Sequence, residues 1–508
     1  MHDLINVRNL LSKRLFFVLL FFLIVLVGNF IAYKIVHIPA QLEITVIAAV
    51  FLFYPVLRFP KTGLYILFIV TPFIPFIRRL YYLQYNRPSV DALIIFSDLI
   101  IVFVITGLFF VFREKGLFDR NMKEIQLTVL IYFFYLLLRV FIMNILPVSE
   151  AVIRFKLYGP AVLLFFAGGI YATDFQLLKK IWIITVVVGI VSFVYALKQL
   201  IIGYSESEQL WFSSISFTTL FIKGVARPFS FFQSPAAFAD YMQLAIIGVM
   251  ILSPWNKSVF VKYLLYFLFP FFFYGALITS VRSNWIGIFI SFLLLVITIK
   301  VKSNKRRLCS LFLLGLVFVV FNYLDAYVNE GLDFANLVSV LVNSLDFQYM
   351  DLLVTERVGA IVNPFSEYSM ISRIALWKHL LVLTSDPLMA LFGRGLGALK
   401  SDSIYFTYLA EFGYPGMFFI TAFQIFIVIK GLRLINRTSS NLVLFLAKGI
   451  TIMNLVFLIV NSTGSHINSF PGDIYYWFWN GVLLKLEALE RARINHEEKN
   501  YDYSGFPA

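Results

Sequence analysis

Apolar segments of about 20 residues follow one another along almost the whole chain, and this feature restricts its fold the most. As a helix, each segment is long enough to cross the hydrocarbon core of a bilayer. Hydrophobic residues make up 60% of the 508 residues and charged residues 14%, against roughly 25% charged in average soluble proteins. One soluble core cannot bury that much apolar surface. The sequence therefore predicts an all-α fold, a polytopic bundle of transmembrane helices.

We predict fourteen spans, with an error of about two in their number. They are expected near residues 15–33, 40–57, 62–77, 92–112, 125–145, 157–173, 181–202, 236–252, 262–280, 284–300, 307–324, 404–429, 441–461 and 472–488. The chain then divides into a bundle of the first eleven spans (1–323), a large polar loop (324–403), the last three spans (404–488) and a charged tail (489–508).

The distribution of basic residues predicts the orientation of these spans. With the N-terminus inside, clusters such as 300–307 and 430–437 fall in cytoplasmic connections, as the positive-inside rule requires. Both termini are then cytoplasmic, and the loop 324–403 lies outside. The net charge is +14, but the basic residues are scattered between apolar runs rather than gathered in one patch. Nucleic acid is therefore not an expected partner.

Several basic residues lie at outward span ends, where this rule does not explain them. Arg227 lies in GVARPFSFFQSPAAFADY and Arg282 in ALITSVRSNWIGIFI. The rigid donor fork of a guanidinium suits phosphate oxygens, and an ionisable residue at membrane depth is a functional-site hypothesis. We assign both arginines to an anionic ligand, with Arg154 as a further candidate. For Arg78 and Arg79 we expect snorkelling to lipid headgroups instead.

A series of short motifs runs from about residue 220 to residue 416. In order, they are RPFSFFQSPAAFA from Arg227, TSVRSNWIG around Arg282, the run Arg373–Trp377, Gly393–Gly397 and YLAEFGYPG from Tyr408. This order and spacing resemble the O-antigen polymerase and O-antigen ligase superfamily. The resemblance implies a multi-span, metal-independent glycosyltransferase. Such enzymes join glycans carried on undecaprenyl pyrophosphate at the outer face of the inner membrane.

One departure from the ligase pattern concerns the residue that activates the acceptor. Ligases typically carry a histidine nine residues before the glutamate of the L-x-E-x-G run, and here that position is Asp402, nine before Glu411. Two interpretations of Asp402 stay open. Its carboxylate can act as a general base toward a sugar hydroxyl, or it can cap the following helix. The missing histidine favours a polymerase over a ligase.

The polar loop supplies further candidates for substrate binding. Residues 332–354 have helical periodicity and predict a lid-like amphipathic helix. Arg357 and Arg373 are expected to bind substrate, although a salt bridge within the loop is an equal alternative for Arg373. Trp377 offers a flat face for a sugar ring or else belongs to the loop core. Gly395 allows the backbone to approach a ligand closely.

The expected function is polymerisation of undecaprenyl-pyrophosphate-linked oligosaccharide repeat units into O-antigen or exopolysaccharide. The close alternative is an O-antigen ligase with a lipid A-core acceptor. A lipid-linked oligosaccharide flippase is the alternative from another class, but it needs no large outward loop. No cofactor is expected, since no P-loop motif is present and the pyrophosphate–sugar bond supplies the energy. Expected partners are the lipid-linked glycan as donor and acceptor, membrane lipid and a chain-length regulator protein.

Overall fold

The computed structural model describes the chain in several ranges. These are residues 40–85, 93–112, 122–142, 147–214, 220–222, 225–256, 258–279, 281, 283–289, 368–397, 401 and 403–503. Some predicted features lie outside the described residues, namely the spans near 15–33 and 307–324, the amphipathic helix 332–354, and Arg282, Arg357 and Asp402.

Helices make up most of the described residues. The first group is α1 (Ala40–Arg58), α2 (Pro60–Val70), α3 (Ile74–Tyr85), α4 (Leu93–Phe112), α5 (Lys123–Phe141), α6 (Val148–Phe155), α7 (Gly159–Val162), α8 (Leu164–Tyr171), α9 (Phe175–Ile201) and α10 (Glu206–Ser214). The second group is α11 (Pro235–Trp255), α12 (Val259–Leu277), α13 (283–289), α14 (Tyr368–Leu383), α15 (Pro387–Phe392), α16 (Ile404–Arg437), α17 (Asn441–Val460) and α18 (Gly472–Tyr503). Within the described ranges, the only strands are β1 (Phe221–Ile222) and β2 (Val225–Ala226), which pair antiparallel.

Seven helical segments are long and apolar enough to cross a membrane, judged by length and composition. They are Pro60–Leu80, Lys123–Phe141, Phe175–Ile201, Pro235–Trp255, Val259–Leu277, Ile404–Arg437 and Asn441–Val460. Three shorter apolar helices also coincide with predicted spans, namely Ala48–Arg58, Ile95–Phe110 and Gly159–Tyr171. The protein is therefore a membrane-embedded helical bundle, as the composition predicts.

Two of the predicted helices differ from their predicted form. The predicted span 157–173 is divided into α7 and α8, and α7 begins at Gly159 and Pro160, where proline is tolerated because the first turn needs no donor. The last helix does not stop near residue 488 but runs on to Tyr503. An i,i+3 ion pair between Arg493 and Glu490 at 2.8 Å is of the kind that stabilises an exposed helix.

The helix α18 lies at the centre of the bundle and is held there by close backbone contacts. A Cβ on Gly168 of α8 would lie 2.0 Å from the Phe478 carbonyl oxygen, and one on Gly481 would lie 2.0 Å from the Phe165 carbonyl oxygen. Small residues allow such contacts between membrane helices, where packing rather than the hydrophobic effect drives association. Only glycine at both positions permits this approach.

The starts and ends of the helices are grouped at two opposite ends of the bundle. Hydrogen bonds between termini and connections join Gln199 to Phe229, Ile404 to Asn461, and His466 to Asp240. The starts of α11, α16 and α18 therefore lie at one end with the ends of α9 and α17. We call it the Arg227 end. At the opposite end, called the Lys61 end, Lys61 of α2 pairs with Asp174 at the start of α9.

Candidate functional site

Arg227 occupies the segment that connects β2 to α11. Its backbone N–H donates to the Leu220 carbonyl at 2.9 Å. Its Nη1 donates to the carbonyl of Thr279 at 3.3 Å. The half-buried guanidinium therefore lies against the segment between α12 and α13, which carries Arg282 in the sequence. This contact brings together two of the three chain segments predicted to hold catalytic residues.

The turn that follows Arg227 is fixed by two side chains from other helices. The Gln199 Oε1 accepts from the N–H groups of Phe229 and Ser230 at 3.0 and 2.8 Å. Arg79 donates to the carbonyls of Ser230 and Phe232 at 2.7 and 2.6 Å. Ser230 has a φ of 53°, a left-handed conformation that persists only when surrounding contacts impose it. These contacts preorganise the turn.

Arg79 thereby contradicts the snorkelling prediction. Its side chain is 0% exposed, and its guanidinium also lies 4.7 Å from the Phe229 ring centroid. Snorkelling requires the charged group to reach water or headgroups. Here the donors instead satisfy carbonyl groups of an irregular segment, which otherwise carry a desolvation cost. The physical reason is that the middle of helix α3 lies beside a turn whose carbonyl groups need donors.

Asp240 and His466 form a pair between α11 and the connection of α17 to α18. The His466 Nδ1 lies 2.8 and 2.9 Å from the two Asp240 carboxylate oxygens. Both side chains are almost completely buried, at 3% and 4% exposure. Asn284 of α13 donates its Nδ2 to Asp240 Oδ1 at 2.9 Å. A carboxylate in an apolar helix is thus partnered by an imidazole and an amide.

Asn461, at the end of α17, positions the histidine and the start of α16. Its Oδ1 accepts from the N–H groups of His466 and Ile467 at 3.0 and 3.2 Å. Its carbonyl accepts from the Ile404 N–H at 3.0 Å and from the Ser403 hydroxyl at 3.3 Å. Ser403 follows the predicted catalytic Asp402 in the sequence. The third predicted segment therefore meets the histidine loop.

The glycine run Gly393–Gly397 forms a turn against a break in α16. Gly393, Gly395 and Gly397 have φ values of 64°, 98° and 78°, a region that glycine enters without steric cost. The N–H of Gly395 donates to the Glu411 carbonyl at 3.2 Å, and the N–H of Gly397 donates to Glu411 Oε1 at 2.8 Å. The break itself lies at Gly413, with a φ of 72°, before Pro415.

Two arginines lie beside this turn. Arg139 donates from Nη2 to the carbonyls of Phe392 and Glu411, both at 2.8 Å. Arg154 covers Gly397 so closely that a Cβ there would lie 2.7 Å from the Arg154 Nε. Glu411 is 2% exposed, and the turn that it binds also contacts both arginines. The predicted ligands Arg154 and Gly395 therefore belong to one cluster.

Other predicted substrate-binding residues lie on α14. Trp377 stacks on Phe406 of α16, with centroids 4.9 Å apart and an interplanar angle of 6°. One face of the indole is thus occupied by protein. Arg373 lies one turn earlier and is half-buried. Within the described ranges, no group of three His, Cys, Asp or Glu side chains is arranged to hold a metal ion.

Asp240, His466, Arg139 and Glu411 were not among the sequence-predicted site residues. Asp240 did carry a signal, because an ionisable residue inside an apolar span is a functional candidate by default. His466 carried none, since its partner is 226 residues away in the sequence. Neither Arg139 nor Glu411 reveals in the sequence that it binds the glycine turn.

Comparison with known proteins adds no family to these observations. No protein-family model matches the chain, and a search of curated proteins finds no match. The likeness to O-antigen polymerases and ligases thus depends on the sequence motifs alone.

Proposed function

We propose that the protein is a membrane glycosyltransferase that polymerises undecaprenyl-pyrophosphate-linked oligosaccharide repeat units into O-antigen or exopolysaccharide. It would act at the outer face of the bacterial inner membrane. In this proposal the chain has fourteen spans, both termini are cytoplasmic and the loop 324–403 is outside. The growing lipid-linked chain is the donor, a lipid-linked repeat unit is the acceptor, and a chain-length regulator is an expected protein partner.

The observation that carries this proposal is the meeting of separate motifs at one end of the bundle. The Arg227 segment contacts the Thr279 segment. The glycine turn of residues 393–397 binds the start of YLAEFGYPG through Glu411. Motifs with only packing roles would not need to meet at irregular backbone segments that several arginine side chains surround. Irregular backbone at membrane depth is tolerated where it is buried in protein or lines a cavity.

The charges at this end suit an anionic donor. Arg227 and Arg282 are assigned to the pyrophosphate, with Arg154, Arg357 and Arg373 as further cations along the glycan–lipid junction. Bidentate guanidinium donors stabilise the negative charge that develops on the leaving group, which is the largest catalytic effect in many enzymes. Trp377 and Gly395 remain the assigned sugar contacts.

The reaction is a direct displacement at the anomeric carbon of the donor. The acceptor hydroxyl oxygen forms a bond to that carbon, while the bond from that carbon to the pyrophosphate oxygen breaks. Undecaprenyl pyrophosphate leaves with both bonding electrons. The acceptor proton passes to a general base, for which Asp402 is the candidate from the sequence. No nucleotide is consumed, because the broken bond supplies the free energy.

The decisive experiment uses purified full-length protein and lipid-linked units extracted from cells that lack it. We expect longer lipid-linked chains without ATP and in the presence of EDTA. A ligase would leave the units unchanged until lipid A-core was added. A flippase would form no new glycosidic bond in either case. Absence of elongation under all conditions would contradict the proposal.

A second test uses intact cells. Cells that lack the protein should still export repeat units and attach single units to their final acceptor, because export and ligation belong to other proteins. Loss of export instead of loss of chain length would favour the flippase.

A further inference from the structure

His466 and Asp240 form a buried pair that the sequence-based assignment of catalytic residues leaves without a role. The Asp240 carboxylate faces Nδ1 of the imidazole at 2.8 and 2.9 Å. A carboxylate at this nitrogen holds the proton there, so the lone pair of the neutral ring lies on Nε2. The pair therefore has the form of a histidine oriented to accept a proton at Nε2.

The orientation of the ring is determined by three chain segments. Asn284 donates to Asp240 Oδ1 at 2.9 Å, which fixes the carboxylate. Asn461 accepts from the His466 backbone N–H at 3.0 Å, which fixes the loop. Gln243 in turn donates from Nε2 to the Asn284 carbonyl at 3.0 Å. These hydrogen bonds hold the imidazole ring in one orientation.

The other edge of the ring faces a glycine. A Cβ on Gly464 would lie 2.1 Å from the His466 Nε2, so no larger residue fits there without movement. Gly464 is only half-buried, so the loop surface lies close to this part of the ring. In the described part of the chain, the hydrogen bonds of the ring are confined to Nδ1. Nε2 is therefore the ring nitrogen that we assign to a substrate hydroxyl.

The pair is also placed beside all three segments that carry predicted catalytic residues. Asn284 comes two residues after Arg282, and Ser403, bound to Asn461, comes directly after Asp402. The carbonyl of Thr279, which Arg227 binds, belongs to the segment that leads to Asn284. A general base at His466 therefore lies next to the segments whose arginines are assigned to the donor pyrophosphate.

We propose that His466 is the general base of the transferase, and this assignment rests on the proposed function. Its Nε2 takes the proton of the acceptor hydroxyl as the oxygen attacks the anomeric carbon and the bond to the pyrophosphate oxygen breaks. The proton then passes to solvent. Asp240 is a positioning residue that orients the ring and stabilises the imidazolium. With this assignment, Asp402 is not the base.

The test measures kcat and the donor KM of reconstituted full-length protein with extracted lipid-linked units. His466→Gln should lower kcat by about 10²–10⁴-fold and leave the donor KM nearly unchanged. Asp240→Asn should lower kcat by nearly as much. Asn284 keeps its hydrogen bond to Oδ1, so the new amide N–H₂ would face Nδ1 and force the ring proton onto Nε2. Added imidazole should restore part of the rate of His466→Ala, which a structural role would not predict.

The matched control is His379→Gln, a change of the same type at an exposed position of α14, which should keep full activity. Size-exclusion elution reports whether each variant is folded. If His466→Gln does not fold, the isosteric Asp240→Asn decides in its place. An unchanged kcat in the folded variant, together with an inactive Asp402→Asn, would assign the base to Asp402. If the wild-type protein elongates nothing, the proposed function fails and the base assignment falls with it.

Discussion

The two ends of the bundle use charged side chains in different ways. At the Arg227 end, Arg79 and Arg139 donate to backbone carbonyls of irregular segments. At the Lys61 end, lysines pair with carboxylates of neighbouring helices, as Lys430 does with Glu487 at 3.2 Å. Arg79 and Arg139 thus hold turns in place, whereas Lys61 and Lys430 join helices.

Under the proposed function, the rigid turns serve the reaction and the ion pairs between helices serve assembly. A turn or a broken helix leaves polar backbone groups that must be satisfied inside the membrane. Arginine, with five donors in a fixed fork, can satisfy several of them at once. In the proposed function, such a turn lowers the stability of the fold but presents a ligand to the reaction. An ion pair between regular helices needs no such explanation.

The strongest test of this division removes one partner of the buried pair at the Lys61 end. Lys430→Met leaves Glu487 buried without its cation, and loss of one partner of a buried pair typically costs ~3–5 kcal/mol of unfolding free energy. The double variant Lys430→Met/Glu487→Met should recover most of the lost unfolding free energy. Unfolding temperature in detergent gives the stability, and activity per folded molecule should stay at the wild-type level in both. Normal stability with lost activity would reverse the roles of the two ends.

Arg227→Ala, at the other end of the bundle, should lose activity and keep stability. Loss of a charge contact to the transition state is worth ~2.7–4 kcal/mol, or about 10²–10³ in rate, at little change in unfolding temperature. Arg227→Lys should recover little, because it lacks the donor fork. Arg437→Ala, an exposed arginine at the Lys61 end, is the matched control and should retain its rate. Full-length polymer from Arg227→Ala at normal expression would remove this arginine from the mechanism.

A smaller effect is expected from the glycine turn. Gly393→Ala places a side chain at a φ of 64°, with its Cβ 2.5 Å from the carbonyl carbon of Glu411. The backbone strain costs ~1–3 kcal/mol, and the displaced turn should lower activity as well. Gly203→Ala is the control, because its φ is 92° but a Cβ there meets nothing within 4 Å. Equal loss of activity in both variants would show that strain alone, and not the contact with α16, is responsible.

The helices could be predicted from the sequence, and most of the site could not. Runs such as Asn441–Val460 are predominantly apolar, with a mean hydropathy of 2.3, so their spans follow from composition. Arg79 and Arg78 adjoin each other at a span end, and local pattern does not distinguish a snorkelling arginine from a buried one. The pairing of His466 with Asp240 depends on the arrangement of α11 against the α17–α18 connection. A single sequence contains no information on such distant partners.

The smallest effect is expected at Asp174, which caps α9 and pairs with the exposed Lys61. Burial raises the pKa of the Asp174 carboxyl, but hydrogen bonds from Lys61 and the Leu177 N–H outweigh it, so the pKa lies below 3.8. A depressed carboxyl pKa stabilises the fold above the unfolded value and loses that contribution as pH falls through the folded value. Asp174→Asn should therefore cost at most ~1 kcal/mol at neutral pH, since the pair is solvent-screened. Because an asparagine still caps the helix, the unfolding temperatures of the two proteins should begin to converge below about pH 4 and should meet below the folded pKa of Asp174. A difference that persisted there would mean that the cap, rather than the charge, stabilises this end.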